Sequence, residues 1–70
     1  MRWKRIGTRS YELNRTCVQA FVFGANRPYC LWALSVYWSG GHFSRVENSF
    51  AGARREAEKC IAEVEAAKTS

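Results

Sequence analysis

The first forty residues carry hydrophobic patterns that are typical of β-strands. Residues 11–14 alternate between apolar and polar side chains, and Gly7 permits a bend or a bulge just upstream. Residues 16–23 are rich in β-branched and aromatic side chains, which suit a pleated surface. Turn-forming residues at 24–28 precede a third apolar segment at 29–38. The pattern therefore predicts three antiparallel strands joined by short turns.

The period of the pattern changes after residue 49, where apolar side chains recur every three to four residues. This spacing predicts an amphipathic helix over residues 49–67. Its apolar stripe consists of Phe50, Ala53, Ala57, Ile61 and Val64. Asn48 and Ser49 are both suitable N-caps. Residues 39–48 are expected to form a Gly-rich connection, in which residues 42–48 are either a short fourth strand or a loop.

These elements predict an α+β fold in a single domain, residues 1–70, with the C-terminal helix packed on one face of a three-stranded sheet at residues 1–38. Alternate positions on a strand share a face, so one set of side chains on the third strand should turn towards the helix. That set is Cys30, Trp32, Leu34, Val36 and Trp38, beside Val18, Ala20 and Val22 of the second strand. The small Ala53 and Ala57 would let the helix approach this surface closely.

The other face of the predicted sheet is more apolar than a solvent-facing surface requires. Its expected side chains include Phe21, Phe23, Tyr29, Leu31 and Tyr37. Antiparallel sheets with one wet face normally alternate between apolar and polar positions, and contiguous exposed apolar patches mark binding surfaces. Either this face binds a partner, or it is covered by the N-terminal segment with Trp3 and Ile6 or by the loop with Phe43.

Positive charge is concentrated in the predicted sheet and its loops. The chain has 11 Lys and Arg against 6 Asp and Glu, a net charge of +5, and residues 49–70 are neutral overall. Five arginines are expected at strand ends and turns, as a rim around the apolar centre: Arg5, Arg9, Arg15, Arg27 and Arg45. Arginine suits bidentate binding of phosphate or carboxylate, and the excess charge attracts nucleic acid or an acidic protein. Mid-strand positions lack the long polar side chains that read base edges in the major groove.

Catalytic, cofactor and metal chemistry is not indicated by the sequence. His42 is the only histidine, and no nearby acidic residue is an obvious partner to orient it. Cys17, Cys30 and Cys60 are an odd number without C-x-x-C spacing, which is typical neither of a secreted disulfide framework nor of a zinc site. We therefore expect no enzymatic activity, catalytic residue, cofactor or metal.

Targeting signals are not indicated either. The basic N-terminus is not followed by the apolar stretch of a signal peptide, and the longest apolar run, residues 29–38, is too short to span a membrane. A cytoplasmic chain is the expectation.

Two resemblances add to this picture. The β-β-β-α order, with a helix that begins SFAGARREA at residues 49–57, resembles the arm-binding domain of tyrosine recombinases and the plant ethylene-response-factor domain. That resemblance implies a small sheet that contacts DNA. A wider pattern is similar to small single-domain phage and prophage proteins, which include anti-CRISPR and other anti-defence inhibitors. Its residues are Trp3, Tyr11-Glu12-Leu13, Tyr29, Trp32, Ser49, Ala53-Arg54 and Ala57-Glu58.

Together these features predict a small non-enzymatic binding protein of the phage or mobile-element type. Its aromatic sheet face would occlude a surface of a host nucleic-acid-handling complex, such as a CRISPR effector, and its arginines would steer the encounter. The alternative is a DNA-binding module whose arginines contact phosphates. A symmetric homodimer closed by the aromatic face is a third interpretation.

Overall fold

The computed structural model describes residues 2–25 and 31–69, which form one antiparallel sheet and one helix. The elements are β1 (Lys4–Gly7), β2 (Ser10–Asn14), β3 (Val18–Gly24), β4 (Trp32–Trp38), β5 (Gly41–Glu47) and α1 (Phe50–Thr69). Each strand pairs with the next one along the chain, so the spatial order is β1-β2-β3-β4-β5. The helix packs on one face of this meander, which confirms the predicted α+β class with a C-terminal helix.

The predicted number of strands, three with a possible short fourth, is wrong because the sheet has five. One error lies at the N-terminus, where a single bent strand was expected. Thr8 and Arg9 instead form a turn that reverses the chain, and β1 pairs with β2 through a register shift between Arg5 and Gly7. Because β1 has only four residues and Ile6 is its one large apolar side chain, it leaves almost no alternating pattern.

The second difference concerns residues 39–48, predicted as a Gly-rich connection in which residues 42–48 are either a short strand or a loop, and the strand is the alternative that the structure shows. Only Ser39 and Gly40 form the turn, and Gly41–Glu47 pairs with β4 along its entire length. This edge strand is mostly exposed, and Phe43 is its one half-buried aromatic residue. An edge strand with so few buried positions cannot be distinguished from a loop by its hydrophobic pattern alone.

The third predicted strand, at residues 29–38, is observed from Trp32 onwards as β4. Leu31 precedes it, and the Leu31 carbonyl accepts a hydrogen bond of 2.7 Å from the backbone N–H of Ala25. The predictions made for Arg27, Tyr29 and Cys30 lie outside the described residues.

The hydrophobic core lies between α1 and one face of β2, β3 and β4. Its buried members are Leu13, Val18, Ala20, Val22, Leu34, Val36, Ala53, Ala57 and Ile61. The alternating positions predicted to face the helix are therefore confirmed for β3 and for the described part of β4. Ala53 and Ala57 are fully buried, because their short side chains allow the helix to approach the sheet closely. This packing leaves the opposite face of the sheet without a covering element in the described part of the chain.

Three side-chain contacts connect the helix to β2, to β4 and to the segment before β1. Near its start, the ring of Phe50 lies 4.7 Å from that of Tyr11 and 5.1 Å from that of Trp32. Further along, Trp3 Nε1 donates a 2.8 Å hydrogen bond to Glu58 Oε2. These contacts place the N-terminal segment on the helix side of the molecule.

Ser49 is the N-cap of the helix, since its Oγ accepts a 3.0 Å hydrogen bond from the N–H of Gly52. We expect Ser49→Ala to lower the free energy of unfolding by about 1 kcal/mol, because one N–H at the helix start loses its acceptor. Asn48→Ala is the matched control and should change it by less than about 0.5 kcal/mol. Urea unfolding of the three proteins measures both values. An equal loss in the two variants would contradict the assignment of the cap.

Candidate functional site

The surface that no helix covers is called here the open face, and it is formed by side chains of β3, β4 and β5. Its central members are Phe21, Phe23, Ala33, Ser35, Tyr37, His42, Ser44 and Val46. They share this face because directly opposed residues on antiparallel strands point to the same side. The register therefore builds three rows across the sheet: Gln19–Tyr37–His42, Phe21–Ser35–Ser44 and Phe23–Ala33–Val46.

Aromatic rings dominate the middle of the open face. The ring of Tyr37 makes an edge contact with that of Phe21, with centroids 6.2 Å apart, and stacks on the imidazole of His42 at 6.1 Å. Tyr37 keeps 46% of its surface accessible and Phe23 keeps 44%. Val46 completes the patch and is 57% exposed. Large exposed apolar groups thus lie at the two opposite ends of the face.

A pair of serines separates these two ends. Ser35 on β4 is only 9% exposed, and its Oγ lies 3.3 Å from Ser44 Oγ in a hydrogen bond. One hydroxyl of the pair donates to the other, so a partner that covers the pair would still have to provide an acceptor for the second hydroxyl.

The segments that could have covered the open face pack elsewhere. Trp3 and Phe43 both lie against the helix-side core. Ile6 is half exposed in β1. Within the described residues, the aromatic patch is therefore accessible to a partner.

The open face carries little charge. Charged side chains border it on β1 and β2, where Lys4 is directly opposite Glu12, and Glu12 is in turn directly opposite Phe21. Glu12 also accepts a 3.0 Å hydrogen bond from Asn14 Nδ2. A near-neutral face on a chain of net charge +5 indicates that the cations lie elsewhere.

The predicted arginine rim is not assembled around the open face. Arg15 makes a bidentate ion pair with Glu65 of the helix at 2.9 and 3.1 Å. Arg45 pairs with Glu47 at 2.6 Å and lies 4.0 Å from Glu56. Both therefore turn towards the helix side of the sheet.

The two remaining described arginines of that set lie near the β1–β2 turn. Arg5 donates hydrogen bonds to the carbonyls of Gly7 and Thr8. The Arg9 guanidinium lies over the ring of Trp32, 5.2 Å from its centroid. Gly24 makes that approach possible, because a Cβ there would come within 2.9 Å of Arg9 Nε and 3.2 Å of the Trp32 ring.

A groove between β5 and α1 is a second surface feature, and the sequence did not predict it. Its larger part has a volume of about 530 Å³ and is lined by Trp38, Phe43, Cys60, Glu63 and Val64, among others. A smaller part of about 240 Å³ continues along β5, where Arg45, Glu56 and Lys59 join the lining. Finding this groove required knowledge that residues 41–47 are a strand, because the strand forms one of its walls.

The thiol of Cys60 lies in this groove. Partial burial raises the pKa of Cys60 above its ordinary value, and the nearby Glu63 carboxylate raises it further. At pH 8 the thiolate of Cys60 is accordingly a small fraction.

We expect iodoacetamide to alkylate Cys60 more slowly than Cys17 at pH 8, because the thiolate is the nucleophile and because Cys17 is exposed whereas Cys60 is partly buried. Peptide mapping by mass spectrometry gives the two rates in one reaction. In Glu63→Gln the Cys60 rate should increase while the Cys17 rate stays unchanged. Equal rates at the two thiols in the parent chain would contradict this account.

Comparison with protein-family models, with curated proteins and with solved structures returned no match for this chain. Within residues 2–25 and 31–69, no cluster of three or more His, Cys, Asp or Glu side chains is arranged to hold a metal ion. The described helix is not long and apolar enough to cross a membrane.

Proposed function

We propose that this chain is a non-enzymatic binding protein that uses its open face to dock on a protein partner. The observation that carries the proposal is the set of apolar side chains on a sheet face that no described segment covers: the rings of Phe21, Tyr37 and His42 in contact at one end, and Phe23 and Val46 at the other. Interface cores are enriched in aromatic residues and depleted of Lys, Glu and Asp, which matches this composition.

The fold supports a preformed docking surface. The aromatic side chains project from the central strands β3 and β4, whose opposite side forms the hydrophobic core. Because the backbone beneath the rings is held by ladder hydrogen bonds on both sides, little conformational freedom has to be lost on binding. Binding through such a surface can block a partner without any chemical step.

The target class we propose is a host nucleic-acid-handling complex in the cytoplasm, with the chain acting as a phage-type inhibitor. This part rests on the resemblance to small phage proteins and on the net charge of +5. A positive chain is attracted to a complex that carries nucleic acid or an acidic surface, and this attraction raises the association rate. The cations in excess of the carboxylates supply this long-range attraction, to which the ion-paired Arg15 and Arg45 add little.

A second candidate function is phosphate binding by a DNA-binding module. It is favoured by the N-terminal segment, in which Arg2, Lys4, Arg5 and Arg9 occur without an acidic residue among the first eleven positions. Lys4 and Arg5 lie on the edge strand β1, and Arg9 lies in the β1–β2 turn with its guanidinium over Trp32 on the helix side. Such a module would bind DNA through this edge and not through the aromatic patch.

Affinity capture from a bacterial lysate, with and without nuclease, tests the leading proposal. We expect the immobilised chain to capture a subunit of a nucleic-acid-handling complex after nuclease treatment as well as before it. Phe23→Glu should abolish capture, because it places a charge within the apolar patch. Ala62→Glu adds the same charge at an exposed helix position and should capture as the parent chain does.

The outcomes separate the two candidates. Capture that survives Phe23→Glu would overturn the open face as the docking surface. Capture that disappears with nuclease, together with salt-sensitive binding of the free chain to DNA between 50 and 200 mM salt, would favour the phosphate-binding module. Sedimentation at two concentrations identifies a homodimer, which Phe23→Glu would dissociate if the open face closed it.

A further inference from the structure

The two edges of the sheet differ in how well they resist pairing with another strand. β1 has four residues, a register shift between Arg5 and Gly7, and an exposed Lys4 beside Arg5. Short, bulged and charged edge strands are poor templates for pairing. β5 has seven residues in regular register with β4, and the described residues place no strand on its outer side. The β5 edge is therefore the one that can accept an additional strand.

The backbone groups available on β5 follow from its hairpin with β4. Ser39 and Gly40 form a two-residue turn, so Trp38 and Gly41 are expected to be the hydrogen-bonded pair that closes it. In an antiparallel ladder such pairs alternate with pairs whose N–H and C=O groups point away. His42, Ser44 and Val46 then direct their N–H and C=O groups to the free edge. A strand laid along β5 would find three donors and three acceptors.

The groove between β5 and α1 runs beside this edge and would receive alternate side chains of such a strand. Trp38 and Phe43 supply aromatic walls in its larger part, and Glu63 supplies a carboxylate. Ala67, in the last turn of the helix, also lines it, and the C-terminal end of a helix carries partial negative charge. Aromatic faces next to a carboxylate match the guanidinium of arginine, which stacks on rings and pairs with carboxylates.

We propose that this groove binds an extended, arginine-containing segment of a partner protein. The segment adds to β5 as a sixth strand, and its arginine side chain enters the larger part of the groove, whose described lining residues include Glu63 and no Lys or Arg; Arg45 and Lys59 line the smaller part. Backbone pairing supplies affinity that is independent of sequence, and the groove selects the side chain. The groove lies on the helix side of the sheet, whereas Phe21, Phe23 and Tyr37 lie on the open face. The two sites meet at His42, Ser44 and Val46 of β5, so a variant at Phe23 is used to test them separately.

The probe is the blocked peptide acetyl-Thr-Val-Thr-Arg-Thr-Val-Thr-amide, compared with two relatives. One relative has glutamate in place of arginine, and the other is N-methylated at every residue except the arginine, which prevents strand addition. We expect the first peptide to slow amide exchange at His42, Ser44 and Val46 and to protect Cys60 from alkylation relative to Cys17. The glutamate peptide should bind at least fivefold more weakly, and the N-methylated peptide should not bind.

Variants of the chain test the same contacts from the other side. Glu63→Gln should lower the affinity for the arginine peptide about fivefold. Glu12→Gln removes an equal charge on the other side of the sheet and should leave that affinity unchanged. Ser44→Pro removes an outward N–H, a position where edge strands tolerate proline, and should abolish binding. If Ser44→Pro does not fold, the N-methylated peptide still tests strand addition.

Three results would overturn the proposal. The first is that the amide hydrogens of β5 exchange at the same rate with and without millimolar arginine peptide. The second is equal affinity for the arginine and glutamate peptides, and the third is full binding by a folded Ser44→Pro. The Phe23→Glu variant is expected to lose docking through the open face, but it should bind the arginine peptide as tightly as the parent chain does. Peptide binding and open-face docking can therefore fail separately.

Discussion

Replacing Leu34 with alanine is expected to lower the free energy of unfolding by about 2–5 kcal/mol. Leu34 is fully buried at the centre of β4, where it lies next to Val22 of β3 and contributes to the core under the helix. The loss combines the transfer free energy of the removed methyl groups with the cost of the cavity that they leave. A chain of 70 residues has a total stability of only about 4–10 kcal/mol on the usual value per residue, so this loss is a large share of the total.

Chemical denaturation followed by tryptophan fluorescence measures this loss. Val46→Ala is the matched control, because it also truncates an aliphatic side chain on the sheet, but Val46 is 57% exposed on the open face. It should change the free energy of unfolding by less than about 0.5 kcal/mol. If the two variants lost similar amounts of unfolding free energy, Val46 would be buried in solution as Leu34 is. That result would contradict the placement of the core on the helix side alone.

The sequence was sufficient to predict the parts of the fold that depend on burial. The helix and the alternation on β3 and β4 were predicted because buried positions repeat at the period of the element that holds them. The helix observed at Phe50–Thr69 differs from the predicted 49–67 by one residue at the start and two at the end. Such differences are usual where helix ends fray.

The edge strands were beyond the reach of the same reasoning. An edge strand pairs on one side only, and neither β1 nor β5 contains a side chain of the buried core. Their pairing is determined by two-residue turns and by backbone hydrogen bonds to β2 and β4, which leave little trace in the hydrophobic pattern. The groove beside β5 was missed for this reason.

The candidate site was predicted in part. The parity of side chains along β3 and β4 places Phe21, Phe23 and Tyr37 on the face opposite the helix, as expected. The positions of the arginines could not be derived, because their partners are distant in sequence: Arg15 pairs with Glu65, fifty residues away. Charge counts along the chain give the net charge, but only the fold shows which cations are already paired.

The described structure separates its apolar and charged surfaces. Aromatic side chains gather on the open face, whereas the ion pairs of Arg15 and Arg45 lie on the side of the helix. A positive chain can be attracted electrostatically to a partner and still present a near-neutral surface for the final contact. This arrangement makes affinity depend on the aromatic rings and association rate depend on the charge, so the two can be measured separately.

Among truncations to alanine on the open face, Tyr37→Ala is expected to weaken docking the most. Tyr37 lies between Phe21 and His42, and both ring contacts hold it in place while 46% of its surface stays accessible. A tyrosine that is already ordered loses little side-chain entropy on binding and buries a large ring. We expect Tyr37→Ala to weaken binding of the captured partner about 30-fold or more, the range of a central hot spot. Isothermal titration calorimetry with the purified partner measures this loss.

Two further variants separate the role of the ring from that of general surface hydrophobicity. Tyr37→Phe keeps the ring and its contact with Phe21, so it should retain most of the affinity. Ile6→Ala removes a half-exposed apolar side chain from the β1 edge, outside the open face, and should leave the affinity unchanged. If Ile6→Ala and Tyr37→Ala lowered the affinity for the partner equally, the contact surface would extend to the β1 edge. A partner that reaches Ile6 also meets Lys4 and Arg5, because all three residues are exposed on β1. The basic N-terminal segment would then be part of the interface.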